Sequence, residues 1–289
     1  MSGQMRFDGR VAIVTGAGRG IGRAYALALA DRGCSVLVND LGIELDGGGA
    51  TLGPAQQVVA EIEERGGRAA VSGDSVATED GSRAVVDTAL RTFGRVDVLI
   101  NNAGVCEGKP FSSSRTSDFD RHFDVHARGS DHMCRAVWPH MTSAGYGRIV
   151  NTISTAIFGL AEYTAYATAK GAVFALTRSL ALEGGDVGIR VNAIAPFAAT
   201  RMLRKFATTN SAADIAPSVL YLSHESVMIN GETLTASGDR VARVQLTETG
   251  GVNLSEKTPE AVRDNLDRIL DPASARPFDS VNELASRGA

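Results

Sequence analysis

A tyrosine and a lysine stand four positions apart in the segment YATAK at 166–170. Helical spacing puts positions i and i+4 on one face, so the phenol of Tyr166 and the ammonium of Lys170 are expected to be neighbours. A free phenol has a pKa of about 10, and a nearby cation favours the phenolate and lowers that pKa. Tyr166 is therefore a candidate acid/base, although a core tyrosine beside an exposed lysine is the plainer alternative.

Ser154 stands twelve residues before Tyr166 and follows a β-branched run. Its hydroxyl could reach the same carbonyl or alcohol oxygen as the phenol. We therefore take Ser154, Tyr166 and Lys170 as the candidate catalytic residues.

A glycine-rich segment, TGAGRGIG at 15–22, follows the first apolar run and opens a helical pattern. Glycines let a backbone approach a phosphate closely, and a helix N-terminus offers unpaired N–H groups and the positive end of a dipole. The phosphate loop GxxxxGK[ST] is absent from the sequence, which disfavours an NTPase. The segment predicts dinucleotide binding by Gly16, Arg19, Gly20, Ile21 and Gly22.

Asp40 ends the second apolar run. A carboxylate at this point can accept hydrogen bonds from a ribose 2′-hydroxyl, and it repels a 2′-phosphate. Arg19 acts in the opposite direction, because its guanidinium could neutralise such a phosphate. Since Asp40 stands at the usual contact point, we predict NAD in preference to NADP; the plainer alternative for Asp40 is a turn residue.

The elements that must position these side chains alternate along the chain. Strands are predicted at 11–15, 35–39, 68–72, 96–100, 148–153, 189–194 and 232–236. Helices are predicted at about 20–31, 54–65, 79–92, 116–142, 163–183 and 212–223. This alternation predicts an α/β fold with a doubly wound parallel sheet and helices on both faces.

We expect residues 1–240 to form one domain, with a substrate lid at about 197–213. Residues 241–289 are expected to form a C-terminal extension that is not a separate domain. Its one helix signal is Thr258 as N-cap followed by Pro259 at the first helical position.

Polar or loop-forming residues follow the predicted strands. Parallel α/β sheets bind ligands at the carboxyl ends of their strands, so we expect these residues to meet at one edge of the sheet. The candidates for cofactor binding after the third, fourth and sixth strands are Asp74, Ser75, Asn102, Ala103, Gly104, Pro196 and Thr200.

Composition excludes several classes of protein. The formal charge is −4 without a Lys/Arg block, so no nucleic-acid partner is expected. No stretch of 18 apolar residues occurs, and the N-terminus lacks an apolar leader, so we expect neither membrane association nor secretion. Three well-separated cysteines form no disulfide framework, which favours a reducing, cytoplasmic location. His122 and His126 lack a third ligand of suitable spacing, so no metal is predicted.

Four motifs in this order resemble the short-chain dehydrogenase/reductase family over about residues 8–240: TGAGRGIG, NNAG at 101–104, Ser154 and YATAK. The resemblance implies a Rossmann-type sheet of seven parallel strands, a nicotinamide cofactor, and interconversion of a secondary alcohol and a ketone. It implies that Tyr166 is the acid/base, that Lys170 binds the nicotinamide ribose and lowers the tyrosine pKa, and that Ser154 polarises the substrate oxygen. Asn102 would shape the cofactor pocket, Asp74 would reach the adenine, and a homodimer or homotetramer is expected.

Shorter segments resemble one branch of this family, the (3R)-hydroxyacyl-CoA dehydrogenase part of the peroxisomal multifunctional enzyme of β-oxidation and its stand-alone actinobacterial relatives. They include VNDLG at 38–42, HARG at 126–129, SHES at 223–226 and TPEAVR at 258–263. The resemblance implies a role in lipid metabolism and a (3R)-3-hydroxyacyl-CoA substrate, with a steroid or another bulky secondary alcohol as the alternative. A nucleotide sensor or a methyltransferase is disfavoured, because neither needs the Tyr–Lys pair.

Three departures from the family pattern affect the substrate end. The family usually has thirteen residues between the serine and the tyrosine, so with twelve here Thr152 or Thr155 could lie nearer the reacting oxygen than Ser154. His126 stands where many members have an asparagine, and Phe197 where the wider family favours glycine. The segment at 203–213 looks shorter than a usual lid, and cations beside it could clamp a CoA phosphate or be solvated: Arg201, Arg204 and Lys205.

Overall fold

The structure of the chain is a computed structural model that describes residues 3–43, 51–199, 209–281 and 283. The chain divides into two compact units, Met1–Ala242 and Arg243–Ala289. The predicted domain boundary at residue 240 stays a prediction. The expectation that the C-terminal extension is not a separate domain stays a prediction as well.

The main sheet has the strand order β3-β2-β1-β4-β5-β6-β7-β8. Its strands are β1 (Val11–Thr15), β2 (Ser35–Asn39), β3 (Arg68–Ser72), β4 (Val98–Asn101), β5 (Gly147–Thr152), β6 (Ile189–Pro196), β7 (Thr233–Ser237) and β8 (Arg240–Val244). Every pair from β3 across to β7 is parallel. The predicted sheet of seven parallel strands is therefore confirmed.

The eighth strand was not predicted. It follows β7 after the two-residue connection Gly238–Asp239, and Gly238 has a φ of +60°. So short a connection allows antiparallel pairing only, because a parallel crossover needs a dozen or more residues.

Strand β1 consists of the apolar run VAIVT, and all five residues are buried because helices cover both faces of the sheet. It pairs with β2 on one side and with β4 on the other, with Ala12 opposite both Val36 and Val98. The chain therefore winds outward from β1 in one direction and then from β4 in the other. A crevice opens at the carboxyl ends of the strands at such a reversal point.

Helices lie on both faces of the sheet, as predicted. They are α1 (Gly20–Ala30), α2 (Gly53–Glu64), α3 (Glu79–Phe93), α4 (Thr116–His122), α5 (Gly129–Ala144), α6 (Thr164–Gly184) and α7 (Ala216–Ser223). One hydrophobic core contains side chains of α1, α2 and α7, and those of α3 and α5 contribute to a second core. Among the helices of the described residues, none combines the length and apolar character that a membrane span requires.

The long helix predicted at 116–142 is divided by a π-helical segment, Phe123–Arg128, between α4 and α5. A π turn inserts a residue into the helical ladder, and such turns occur frequently at functional sites. The turn changes which side chains of this helix face the sheet edge.

The second unit contains two short helices, α8 (Pro259–Asp264) and α9 (Leu266–Ile269). Its first helix begins as predicted, because the Thr258 hydroxyl accepts a hydrogen bond from the Ala261 N–H at 3.1 Å. Strands β9 (Thr247–Glu248) and β10 (Arg276–Pro277) pair antiparallel. None of the described residues between Arg243 and Val281 is buried, so these residues form no hydrophobic core among themselves.

Candidate active site

A cleft with a volume of about 830 Å³ lies at the carboxyl ends of the strands beside the reversal point. This size is typical of small-molecule and cofactor sites. Twelve of the predicted site residues line it: Gly16, Arg19, Gly20, Ile21, Asp40, Asp74, Ser75, Asn102, Ala103, Gly104, Tyr166 and Lys170. The polar residues after the predicted strands thus meet at one edge of the sheet.

Three predicted site residues, Gly22, Ser154 and Pro196, lie in the described part of the chain but outside this lining. Thr200 falls outside the described residues, as do the predicted phosphate clamp, Arg201, Arg204 and Lys205, and part of the predicted lid.

The glycine loop is packed so tightly that two of its positions require glycine. A Cβ on Gly16 would lie 2.8 Å from the Cα of Ala103, and the φ of Gly16 is +63°. A Cβ on Gly22 would lie 2.3 Å from the carbonyl oxygen of Gly16. Gly22 therefore serves close packing within the loop, which explains why it does not line the cleft.

Asn102 holds the glycine loop against the end of β4. Its side-chain amide donates to the carbonyl oxygens of Thr15 at 3.0 Å and Gly16 at 3.1 Å. The Thr15 hydroxyl in turn accepts the N–H groups of Asn102 and Ala103, both at 3.0 Å. Sequence reasoning missed the role of Thr15, whose only signal was its place at the end of β1.

Asp40 is fixed at the wall of the cleft by two backbone groups. One carboxylate oxygen accepts the Gly18 N–H at 2.8 Å, and the other accepts the Gly42 N–H at 2.7 Å. A side-chain nitrogen of Arg19 lies 3.4 Å from the carbonyl oxygen of Ile43. The glycine loop and the carboxylate after β2 therefore form one connected wall.

Tyr166 and Lys170 lie on one face of α6, as their spacing predicts. The Lys170 Nζ lies 5.8 Å from the centroid of the Tyr166 ring and donates to the carbonyl oxygen of Thr152 at 2.6 Å. Lys170 is only 4% exposed. Burial lowers the pKa of Lys170 to about 7, because an ammonium loses its hydration there.

The expected lowering of the tyrosine pKa by the lysine is not found. Burial raises the pKa of Tyr166 above its ordinary value, and Cys106 acts in the same direction, whereas a hydrogen bond with Ser154 lowers it. The ammonium of Lys170 is directed to a backbone carbonyl and is itself destabilised by burial, so its effect on the pKa of Tyr166 with the cofactor bound stays a prediction.

The hydroxyl of Ser154 begins the 3₁₀ turn Thr155–Phe158 by accepting the Ala156 N–H at 3.1 Å. Thr152 lines the cleft, and its buried hydroxyl oxygen has no hydrogen-bond partner. Thr155 is exposed. Of the two threonines that the short spacing brought into question, Thr152 is therefore the one at the cleft.

Two buried histidines lie against the ring of Tyr166. The rings of His122 and His126 lie edge-on to Tyr166, with centroids 6.3 Å and 5.3 Å away. His122 accepts the Glu107 N–H at 3.3 Å through Nε2, and its Nδ1 lies 2.7 Å from the Asp118 carbonyl oxygen. The i, i+4 spacing of these histidines was noted from the sequence, but their contact with Tyr166 was not foreseen.

His126 comes from the π turn and is 2% exposed. Its Nε2 lies 2.7 Å from the carbonyl oxygen of Val105 and 3.2 Å from the backbone nitrogen of the same residue, and its buried Nδ1 has no partner. Burial and then the charge of Lys170 lower the pKa of His126 well below its usual value. Burial therefore favours the uncharged form of this imidazole, and its Nδ1 is a buried ring nitrogen without a partner.

These residues fit a dinucleotide cofactor. The glycine loop leaves no room for a Cβ, a carboxylate closes the wall after β2, and Asp74 and Ser75 line the cleft farther along the strand ends. At the other end, Tyr166 and the buried Lys170 line the cleft, and Ser154 is close enough to the phenol to affect its pKa. Fold and site together define a dinucleotide-dependent oxidoreductase.

The model of the short chain dehydrogenase family matches residues 10–211. The chain belongs to this family, which confirms the predicted resemblance. It is thus an oxidoreductase that acts on CH–OH groups with a nicotinamide dinucleotide as hydride carrier.

Two curated relatives cover most of the chain. The peroxisomal multifunctional enzyme type 2 of Mus musculus is 41% identical over 293 aligned positions, which cover 98% of this chain and 40% of that enzyme. A short-chain type dehydrogenase/reductase of Mycobacterium tuberculosis is 42% identical over 261 positions, which cover 88% of this chain and 91% of the relative. The chain therefore spans well under half the length of the mouse enzyme.

Solved structures share the fold. A short chain dehydrogenase from Mycobacterium avium superimposes with a TM-score of 0.80 at 35% identity, over 94% of this chain and 97% of that one. A 7α-hydroxysteroid dehydrogenase in complex with NADH and 7-oxo glycochenodeoxycholic acid superimposes with a TM-score of 0.74 at 33% identity, over 81% of this chain and 95% of that one.

Proposed function

We propose that this chain is an NAD-dependent dehydrogenase that interconverts (3R)-3-hydroxyacyl-CoA and 3-oxoacyl-CoA. The observation that carries the chemistry is the pair formed by Tyr166 and Lys170 at one end of the cleft, and Ser154 would act beside the phenol. The substrate rests on the likeness to the peroxisomal multifunctional enzyme over 98% of this chain and on the segments shared with that branch of the family. We place the activity in lipid metabolism.

The residues of the chain divide the proton transfer between them. Tyr166 has a raised pKa and keeps its proton at neutral pH, so it is suited to donating that proton to a ketone oxygen. Ser154, which acts to lower the pKa of the phenol, would hold the same substrate oxygen. Lys170, with a pKa of about 7, can take up or release a proton near neutrality.

The bound dinucleotide would supply the hydride donor or acceptor. Gly16, Gly20 and Ile21 line the cleft at the N-terminus of α1, which suits the pyrophosphate. Asp74 and Ser75 line the part of the cleft after β3, which is where an adenine would lie in this proposal.

The preference for NAD rests on Asp40. Its carboxylate is fixed at the end of β2 by two backbone N–H groups, so it cannot easily turn away from a 2′-phosphate. At a separation of about 4 Å and an effective dielectric constant of 20, repulsion between two unit charges approaches roughly 4 kcal/mol. Arg19 lines the same region and would offset part of that repulsion.

A steroid or another bulky secondary alcohol is the second candidate substrate. The observation that favours it is the structural likeness to the 7α-hydroxysteroid dehydrogenase solved with a bile-acid derivative. It keeps the same cofactor and the same catalytic residues and changes only what occupies the substrate end.

We also propose a cytoplasmic homodimer or homotetramer. The location is supported by the bacterial relative that this chain matches over 91% of that relative's length, and the oligomeric state is what membership of the family implies. Light scattering after gel filtration would measure the oligomeric state directly, and a monomer would contradict it.

A substrate panel tests the proposed function. Reduction of NAD is expected with (3R)-3-hydroxyacyl-CoA and not with its (3S) epimer, and NADP should be the poorer cofactor. Turnover of 7α-hydroxysteroids without turnover of either thioester would favour the second candidate. Absence of NADH formation with every secondary alcohol would contradict both.

A further inference from the structure

The substrate end of the cleft has a wall formed by one helical face. Arg121 and His122, from the last turn of α4, and Val125 and His126, from the π turn, all line the cleft. The two histidines are buried beside the tyrosine ring, whereas the side chain of Arg121 is 43% exposed. Arg121 therefore marks the solvent edge of this wall.

Three cations line the cleft among the residues that the structure describes: Arg19, Arg121 and Lys170. Arg19 belongs to the glycine loop at the nucleotide end, and Lys170 is buried and donates to the Thr152 carbonyl oxygen. Within the described residues, Arg121 is thus the lining cation at the mouth of the substrate end.

The present partner of Arg121 is weakly held. Its guanidinium lies 3.7 Å from the carboxylate of Glu107, which is an ion pair without a hydrogen bond. Glu107 is shared with the ammonium of Lys109 at 3.2 Å, and Lys109 lies closer still to Asp118, at 2.7 Å. A long, half-exposed ion pair contributes little to stability, so an incoming anion can replace Glu107 as the partner of Arg121.

We propose that Arg121 is an anion-binding subsite that takes a phosphate of the CoA part of the substrate. A guanidinium offers planar, paired donors that match a phosphate. The carboxylate of a free 3-hydroxy acid is two bonds from the reacting carbon and would lie beside Tyr166, whereas Arg121 stands at the mouth, where a remote group would lie. The inference rests on the proposed thioester substrate.

Glu107 has a defined part in this proposal. It holds the guanidinium over the cleft before the substrate arrives, and it competes with the phosphate for Arg121. Removing the charge of Glu107 should therefore strengthen the binding of an anionic substrate. Removing the charge of Arg121 should weaken that binding.

The test compares Arg121→Gln with Arg135→Gln, which makes the same change of net charge. Arg135 lies on α5, its side chain is 73% exposed, and it pairs with Asp131 outside the cleft lining. KM is measured for a (3R)-3-hydroxyacyl-CoA and for the same acyl group on N-acetylcysteamine, which carries no phosphate. Free CoA as a competitive inhibitor gives a second readout.

Arg121→Gln should raise KM for the CoA thioester and Ki for CoA by about tenfold, since one charge-assisted contact is lost. KM for the short thioester should not change, and Arg135→Gln should change neither. Glu107→Gln should lower KM for the CoA thioester, and Arg121→Lys should restore part of the loss.

Equal effects of Arg121→Gln on both thioesters would overturn the phosphate subsite, because the residue would then act on the acyl part or on folding. An unchanged KM for the CoA thioester would overturn it as well. If the wild-type enzyme turns over no hydroxyacyl thioester at all, the proposed function fails, and an unchanged Kd for free CoA in Arg121→Gln, measured by calorimetry, then separately rejects the subsite.

Discussion

The two ends of the cleft satisfy their polar groups in different ways. At the nucleotide end, Asp40 and Asn102 are bound to the backbone of the glycine loop through several hydrogen bonds. At the catalytic end, buried polar atoms of Thr152 and His126 have no partner, and burial shifts the pKa of Lys170. A binding surface can be completed in advance, whereas a catalytic one keeps groups available for the reacting atoms.

The largest expected effect is a loss of turnover that leaves cofactor binding intact. Tyr166→Phe should lower kcat by about a thousandfold, since the phenol supplies the acid/base proton. The affinity for NAD should stay within error, because the hydroxyl acts on the substrate oxygen and the ring remains in place. Stopped-flow turnover and fluorescence titration with the dinucleotide measure the two quantities. Equal loss of both, or retained turnover, would contradict the acid/base role.

The pH dependence of folding stability reports how strongly Lys170, at the catalytic end of the cleft, is desolvated. The lysine of the unfolded chain keeps its proton up to about pH 10.4, whereas folding lowers the pKa of Lys170 to about 7. The unfolded state therefore binds more protons between these values, and the stability of the folded state rises with pH in that window. As the pH falls toward 7, the folded state therefore becomes less stable, because Lys170 is protonated in the unfolded chain and uncharged in the folded one.

Lys170→Met removes this titration and serves as the reference. Between pH 7.5 and 9.5, the free energy of unfolding of the wild type should rise relative to that of the methionine variant by about 1.4 kcal/mol per pH unit. Urea titrations at a series of pH values measure the difference, and other titrating groups cancel in it. Parallel curves for the two proteins would mean that the ammonium remains solvated.

A substitution at Asp40 should change the cofactor preference at the nucleotide end and leave the chemistry at the catalytic end unchanged. Asp40→Ala should raise the ratio of kcat/KM for NADP to that for NAD by about one to two orders of magnitude. The reason is that the carboxylate repels the 2′-phosphate and Arg19 remains. The kcat at saturating cofactor should change little.

Asp40→Asn is the matched control, because its amide oxygen can still accept one of the two backbone hydrogen bonds at Gly18 and Gly42. It should shift the cofactor ratio in the same direction with less loss of stability. If the wild type already prefers NADP, Arg19 outweighs Asp40 and the NAD assignment is wrong.

The nucleotide end was the easier one to predict from sequence, because its determinants are local. The glycine loop, the strand before it and the helix after it are contiguous, and β1 and β2 have the predicted bounds. Close packing of Gly16 and Gly22 follows from the same short segment. The eighth strand was missed although the alternation in RVARV after a Gly-Asp turn is a signal for it.

The catalytic end depends on contacts between segments that are distant in sequence. The i, i+4 spacing in α6 predicts that Tyr166 and Lys170 share a face, but it cannot predict that Lys170 donates to a carbonyl of β5 or that burial governs both pKa values. The π turn that presents His126 to Tyr166 has no signal in the apolar pattern. Electrostatics and helix irregularities of this kind depend on the assembled fold.

The smallest expected effect concerns the unpartnered hydroxyl of Thr152. A buried hydroxyl without a partner costs about 1–3 kcal/mol, so the nearly isosteric Thr152→Val should raise the free energy of unfolding by about 1 kcal/mol. Turnover should be unchanged if Ser154 holds the substrate oxygen. Ser154→Ala should then lower kcat by about a hundredfold, as expected for loss of one donor to that oxygen.

The opposite pattern would assign the substrate oxygen to Thr152. The hydroxyl of Ser154 already accepts the N–H of Ala156 at 3.1 Å and is close enough to the phenol to lower the pKa of Tyr166. Thr152 lies at the cleft, but its backbone carbonyl is the group that anchors Lys170. If Thr152→Val loses turnover while Ser154→Ala keeps it, the shortened spacing has moved the role to the threonine, and its unpartnered hydroxyl is a catalytic group.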